Sequence, residues 1–295
     1  MRTAAATGPL EVLDVLWDCA LPSGERIPVR RDDARGLLAE RGQHRGARLV
    51  DALPAREDGT LDQDAVDQTL LAVHLELARL SEFVHVPQAM AHSLAPIIAR
   101  LRDRAGGTIR VVDVGCGLGF DTRVVAASGA LGADVEFVGL DLNALLVDAA
   151  DRLARAESID VRFLHGDALD PCLAIEDPDR TLMISSGLLH HLGRDALPAF
   201  FARHAELGVA GFAHFDPSPG FWTDVGAWTL HRTRMREPIS RHDGAVSMRR
   251  ALPSRDLLAV AREGAGDAFD LACDEVPRLY PQPDRIVRPV VGHPR

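Results

Sequence analysis

The chemistry legible in this chain lies in three carboxylates and a run of glycines. Asp113 stands near the end of a branched apolar run, 109–114, two residues ahead of Gly115, and Gly117 and Gly119 follow at alternate positions. Glycines at this spacing let the backbone turn tightly and approach a ligand where a Cβ would clash. A dinucleotide fingerprint places its third glycine after two intervening residues, and Phe120 occupies that place here. Roughly twenty residues beyond the loop a second apolar run, 135–140, ends in Asp141, where a carboxylate can accept from both hydroxyls of a ribose. The same acid could instead cap a helix starting near Asn143. A third run, 161–164, leads into His165, Gly166, Asp167 and Ala168. Taken alone, that Gly-Asp pair reads as a turn.

In this order, at the ends of successive strands, the three elements resemble the cofactor motifs of the class I, Rossmann-like S-adenosylmethionine-dependent methyltransferases. The resemblance implies S-adenosyl-L-methionine as cofactor. That molecule has no pyrophosphate; it carries an adenosine, a sulfonium and an amino-acid tail, so a carboxylate near its ammonium group is tolerated. Asp113, Gly115, Cys116, Gly117 and Gly119 would then surround the loop side of the cofactor. Asp141, with Leu142 beside it, would take the ribose. Asp167 would accept from the adenine amino group, with the Ala168 amide reaching the ring. A fourth segment, 181–193, contains Ser185 and the pair His190 and His191. It resembles the small-molecule branch of the family, which includes quinone-biosynthesis methyltransferases. It departs from the Asp/Asn-Pro-Pro-Tyr pattern of the amino-methylating nucleic-acid enzymes and lacks the carboxylate of the Mg-dependent catechol enzymes. No metal site is therefore expected. The resemblance covers about 109–215 well, the end of the chain loosely and the first hundred residues hardly at all.

In an open α/β sheet, ligands bind beyond the carboxyl ends of the strands. His190 and His191 then fall near the transferred methyl group, and either suits a base if the acceptor must lose a proton. Each could equally be a packed or capping histidine. The connection 216–253 is too long for a simple loop and reads as a lid. Trp222, Trp228, His231 and Arg232 are its candidate acceptor contacts, the tryptophans either covering a flat ligand or anchoring the insert. Arg232, Arg234, Arg236 and Arg241 could grip an acidic acceptor or form a solvated helix face.

The elements that must position these residues follow from periodicity. Apolar residues recur at three- and four-residue spacing over 10–19, 32–53 and 61–83, which predicts helices. Another helix is expected over 88–104, perturbed by Pro96 and ending at Gly106 and Gly107. From residue 109 the pattern alternates strand and helix, with strands at 109–114, 135–140, 161–164, 181–185 and 208–215. A helix at 254–263 precedes two apolar runs, 268–276 and 286–291, separated by a proline-rich turn and no helix, as in an antiparallel pair. The expected fold class is α/β: a doubly wound, mostly parallel seven-stranded sheet with an antiparallel C-terminal strand pair and a helical N-terminal extension. The expected division is a helical extension or cap over 1–105 and a cofactor-binding domain over 106–295, with the lid-like insert at 216–253.

Composition narrows the chemistry further. All 33 basic residues are arginine and the chain has one tyrosine, Tyr280, which excludes a Walker lysine, a Schiff-base lysine and a Tyr-Lys hydride-transfer pair. The four cysteines are scattered, which argues against a zinc knuckle or a disulfide framework. A formal charge of −10 opposes a nucleic-acid partner. With no apolar leader and no span long enough for a membrane, the expected compartment is the cytoplasm. The expected partner is a small-molecule acceptor; the oligomeric state stays open, a homodimer being compatible. The alternatives are an RNA or protein methyltransferase, and a protein that keeps the fold without methylating: a cyclase, a decarboxylase or a structural partner.

Overall fold

The computed structural model describes residues 8–20, 24–219, 221–273 and 287–294. The proline-rich turn expected at 277–283 lies outside the described residues, as does the side chain of Trp222. The chain forms two compact units, one of residues 1–80 with 219–250, the other of 81–218 with 251–295.

The first unit is helical. It contains α1 (Val12–Leu16), α2 (Arg31–Glu40), α3 (His44–Asp51) and most of α4 (Gln63–Phe83). One helix was expected across 32–53; the chain instead turns at Gly42, whose φ of 71° is open to glycine without strain, and this splits α2 from α3. The remaining two helices come from the distant segment: α10 (Phe221–Arg234) and α11 (Pro238–Arg250). Leu16, Leu38, Val50, Val66 and Leu70 bury their side chains in one cluster with Ile239 of α11. Polar contacts tie the two stretches as firmly. Asp243 accepts from the Val12 and Leu13 amides at 2.8 and 3.1 Å, satisfying donors at the buried start of α1. Glu76 accepts from the Arg236 and Glu237 amides just ahead of α11.

The second unit holds the sheet, β1 (Ile109–Val114), β2 (Val135–Asp141), β3 (Arg162–His165), β4 (Thr181–Ser186), β5 (Gly211–Pro217), β6 (Phe269–Cys273) and β7 (Val287–Pro294), in the order β3-β2-β1-β4-β5-β7-β6. The first five strands in this order, β1 to β5 of the chain, pair in parallel, while β7 runs antiparallel to both β5 and β6. The seven-stranded sheet with its antiparallel terminal pair thus stands as expected. Helices α6 (Phe120–Ser128) and α7 (Ala144–Glu157) follow β1 and β2. The short α8 (Leu189–Leu192) and α9 (Leu197–Leu207) lie between β4 and β5, and α12 (Ser254–Ala265) precedes β6. Phe200, Phe201, Phe212, Leu257, Val260 and Phe269 fill the core where α9 and α12 pack on the sheet.

The division expected at 105/106 is corrected by this arrangement. The helix α5 (Val86–Ala105) belongs with the sheet, where it packs on β1, β5 and β7, and the segment 219–250 belongs with the N-terminal helices. The reason is burial: Met90, Leu94, Ile97, Ile98 and Leu101 give α5 an apolar stripe, and only a partner surface can cover it. Pro96 does not break this helix, which runs on to Gly106, where φ is 59° and the amide bonds back to the Arg102 carbonyl. None of the described helices is long and apolar enough to cross a membrane.

Candidate functional site

The strand order reverses between β1 and β4, and at such a switch point the carboxyl ends of the strands open a crevice. Register brings the chemistry there: Asp113 lies across from Gly139 and Ile184, and Asp141 across from His165. Past β1 the backbone turns through positive φ at Gly115, Gly117 and Gly119, of 70°, 54° and 62°. The Gly115 and Cys116 amides bond to the Leu140 carbonyl, and the Gly117 amide donates to Asp141 Oδ2 at 2.8 Å. At Gly119 a Cβ would stand 2.2 Å from the Phe163 ring, so an alanine there would have to displace an aromatic of β3.

Asp141 uses its other oxygen to accept from the Asn143 amide at 2.8 Å. Capping of α7 falls to Asn143, whose side chain accepts from the Leu145 amide, so the Asp141 carboxylate shapes the loop and keeps further lone pairs for hydroxyl donors. Leu142 is held through its carbonyl, which accepts from His165 Nε2 at 2.9 Å. The third element is tied in by the Gly166 amide bonding to the Asp141 carbonyl, and Asp167 accepts from the Leu169 amide at 3.0 Å, so that Ala168 sits within an Asx turn.

Asp113 is 2 % exposed. Thr122 donates to its Oδ2, while its Oδ1 is buried without a partner among the described residues. Burial first, then the charges of Asp121 and Asp141, push this carboxyl up to about 7, against the hydrogen bond from Thr122. An orphaned buried oxygen among three acids fits a cationic N–H donor, such as the ammonium of an amino-acid tail. Asp121 was not singled out in the sequence. Its carboxylate accepts from Ser81 and Ser186, and burial raises its pKa. The available signal was position alone: an acid in the first turn of the helix behind the glycines. Cys116 is kept a thiol, its pKa raised by burial and by Asp141 and Asp113.

Ser185 is fully buried and its hydroxyl is spent elsewhere. Its Oγ lies 2.9 Å from His214 Nδ1, His214 Nε2 lies 3.0 Å from His204 Nε2, and His204 Nδ1 lies 2.7 Å from the Phe200 carbonyl. The carbonyl can only accept, so His204 donates from Nδ1, His214 donates to His204, and Ser185 donates to His214. At this strand end the Ser185 side chain is committed to the core, which leaves its backbone as the part able to meet a ligand.

His190 is buried and its Nδ1 lies 3.0 Å from Asp216 Oδ1, at the end of β5; His191 is exposed, with its ring 4.3 Å from that of His190. Within the helical unit, Trp228 is 60 % exposed and the Arg232 guanidinium lies 5.9 Å from its ring. His231 is packed inside that unit: it donates from Nδ1 to the Ser240 carbonyl at 3.1 Å, burial lowers its pKa, and its ring fills the space a Cβ on Gly244 would need. Nothing in the sequence marked His231 for that packing, since the glycine that admits it lies thirteen residues on.

Residues 111–208 match the family model of a methyltransferase domain. No functionally curated protein matches the chain significantly. Solved structures similar to it include a SAM-dependent methyltransferase from Aquifex aeolicus, at 15% identity over 68% of this chain and 89% of that one, with a TM-score of 0.43. Magnesium protoporphyrin IX methyltransferase (ChlM) from Synechocystis PCC 6803 with bound SAH is 15% identical over 79% of this chain and 100% of that one, with a TM-score of 0.48. A structure described for the conversion of a disulfide bond into a thioacetal group during echinomycin biosynthesis is 22% identical over 67% and 79%, with a TM-score of 0.42.

Proposed function

We propose, for a chain that carries a Rossmann-like class I S-adenosylmethionine-dependent methyltransferase domain, that the protein methylates a small-molecule acceptor by in-line displacement. The observation that carries this reading is the glycine turn between Asp113 and Asp141. Asp141 would take the ribose hydroxyls, Asp113 Oδ1 the ammonium, and the Asp167–Ala168 turn the adenine edge. When bound, S-adenosyl-L-methionine supplies a methyl group already activated by its sulfonium. The protein's share is therefore alignment, exclusion of water and, where the acceptor must lose a proton, a base drawn from His190 or His191. A net charge of −10 favours a small acceptor over a polyanion.

Acceptor choice is assigned to the segment 216–253 by its place in the chain, directly after β5, with Trp222, Trp228 and Arg232 as its contacts and His231 as a packing residue that shapes α10 and α11. Cell extract incubated with the protein and methyl-labelled cofactor tests the reading. Label in the small-molecule fraction supports it; label confined to RNA or protein transfers the assignment to a macromolecular acceptor; cofactor binding without label anywhere would leave a fold that binds and does not methylate.

A further inference from the structure

We propose that Asp216 is the positioning residue of the transfer step, fixing His190 with its proton on Nδ1 so that Nε2 of His190, and not His191, takes the acceptor's proton. The proposal rests on the methyl-transfer reading. His190 Nδ1 and Asp216 Oδ1 are 3.0 Å apart and the two side chains are 5 % and 4 % exposed. A carboxylate only accepts, so the proton between them sits on Nδ1, and the lone pair of the neutral ring is on Nε2. The segment bearing His190 is tied to β5 a second time: the Gly187 amide donates to the Phe215 carbonyl at 2.8 Å, next in the chain to Asp216. Leu189, buried in the core of the sheet unit, is a third anchor. His191 is exposed on the same single turn of helix and lies against the His190 ring.

The step balances with these groups. The acceptor's O–H or N–H proton passes to His190 Nε2 as its lone pair forms the bond to the methyl carbon. The carbon–sulfur bond breaks with its pair going to sulfur, leaving the neutral thioether S-adenosylhomocysteine. The positive charge lost at sulfur reappears on the His190 ring, against the Asp216 carboxylate. A correctly held base contributes about 10²–10⁴-fold to such a step.

The test uses full-length protein labelled with [¹⁵N]histidine, in EDTA and S-adenosylhomocysteine, with His190 assigned from H190Q. Two-bond proton–nitrogen spectra should show His190 protonated on Nδ1 in the wild type, still so in D216E, and protonated on Nε2 in D216N, because an amide can donate to Nδ1. Transfer of labelled methyl groups to the extract acceptor should fall about 100-fold or more in D216N. It should recover partly in D216E, with calorimetric affinity for S-adenosylhomocysteine unchanged in both. A wild-type ring protonated on Nε2 would overturn the proposal, as would an unchanged tautomer in D216N. So would D216N transfer within about 3-fold of wild type, or a loss in H191Q equal to that in H190Q. The nitrogen readout needs no acceptor. An extract in which the wild type labels nothing therefore counts against methyl transfer, while the tautomer still decides whether Asp216 orients His190.

Discussion

Lowering the pH should unlock the core beneath the cofactor end of the sheet, and His204 sets how much. Its ring is 2 % exposed, donates to the Phe200 carbonyl and accepts from His214, so both rings must be neutral for the chain of hydrogen bonds to run in one direction. Protonation would set two N–H groups facing each other in an apolar core. Burial accordingly lowers the His204 pKa from 6.5 to about 4, against the hydrogen bond to Phe200, and places His214 well below its usual value. For a histidine held neutral, the contribution to stability is whole above pH 6.5 and is lost as pH falls through about 4. At about 1.36 kcal/mol per pH unit, that interval is worth about 3 kcal/mol for His204, of which about 2 is gone by pH 5. Asp113 acts with the opposite sign: with its carboxyl pushed up to about 7, its burial grows less unfavourable as pH falls from 7 towards 3.8. A raw pH profile mixes the two, so the quantity to measure is the gap between wild type and His204→Gln. Urea unfolding followed by far-ultraviolet circular dichroism at several pH values between 5 and 7.5 gives it. Near pH 7.5 the wild type should be ahead by about 1–3 kcal/mol, because the variant loses a partner for a buried donor. By pH 5 the gap should narrow by about 2 kcal/mol. A gap constant across this range would refute the claim that His204 is held neutral.

Three further outcomes are expected. Asp141→Ala should weaken S-adenosylhomocysteine binding by about 1–3 kcal/mol in calorimetry, since the carboxylate both holds the Gly117 amide and would accept from the ribose. Turnover should survive exhaustive chelation, because at the end of β4 the Ser185 and Ser186 hydroxyls are committed to His214 and Asp121 where a metal-binding carboxylate would stand. Loss of activity with EDTA and its return with Mg²⁺ would require Asp216 as a ligand. Trp228→Ala should lower kcat/KM for the acceptor at least tenfold more than it changes cofactor affinity, and Trp222→Ala likewise; equal losses in both quantities would make the two rings scaffold only.

Alternation of branched apolar runs with helical periodicity was enough to place every strand of the sheet, because a strand covered on both faces is buried almost throughout, as β1 and β4 are, and so carries a short apolar run. The glycine turn was legible for a local reason as well. Positive φ at three alternate positions is open to glycine, and Asp113 stands only two residues ahead of the first of them. Pairings set by distant parts of the chain were not. His190 meets Asp216, and Ser185 meets His214, only because β4 and β5 are neighbours in a register that aligns Ser185 with His214 and Ser186 with Phe215. Likewise the length of the connection 216–253 showed that it is more than a simple loop without showing what it covers. Tertiary structure decided that, by burying Ile239 among the N-terminal helices and placing the Asp243 carboxylate on the amides of Val12 and Leu13. Hydrophobic burial is not directional, so an apolar stripe states that a partner must exist, and only the packed chain shows which surface it is.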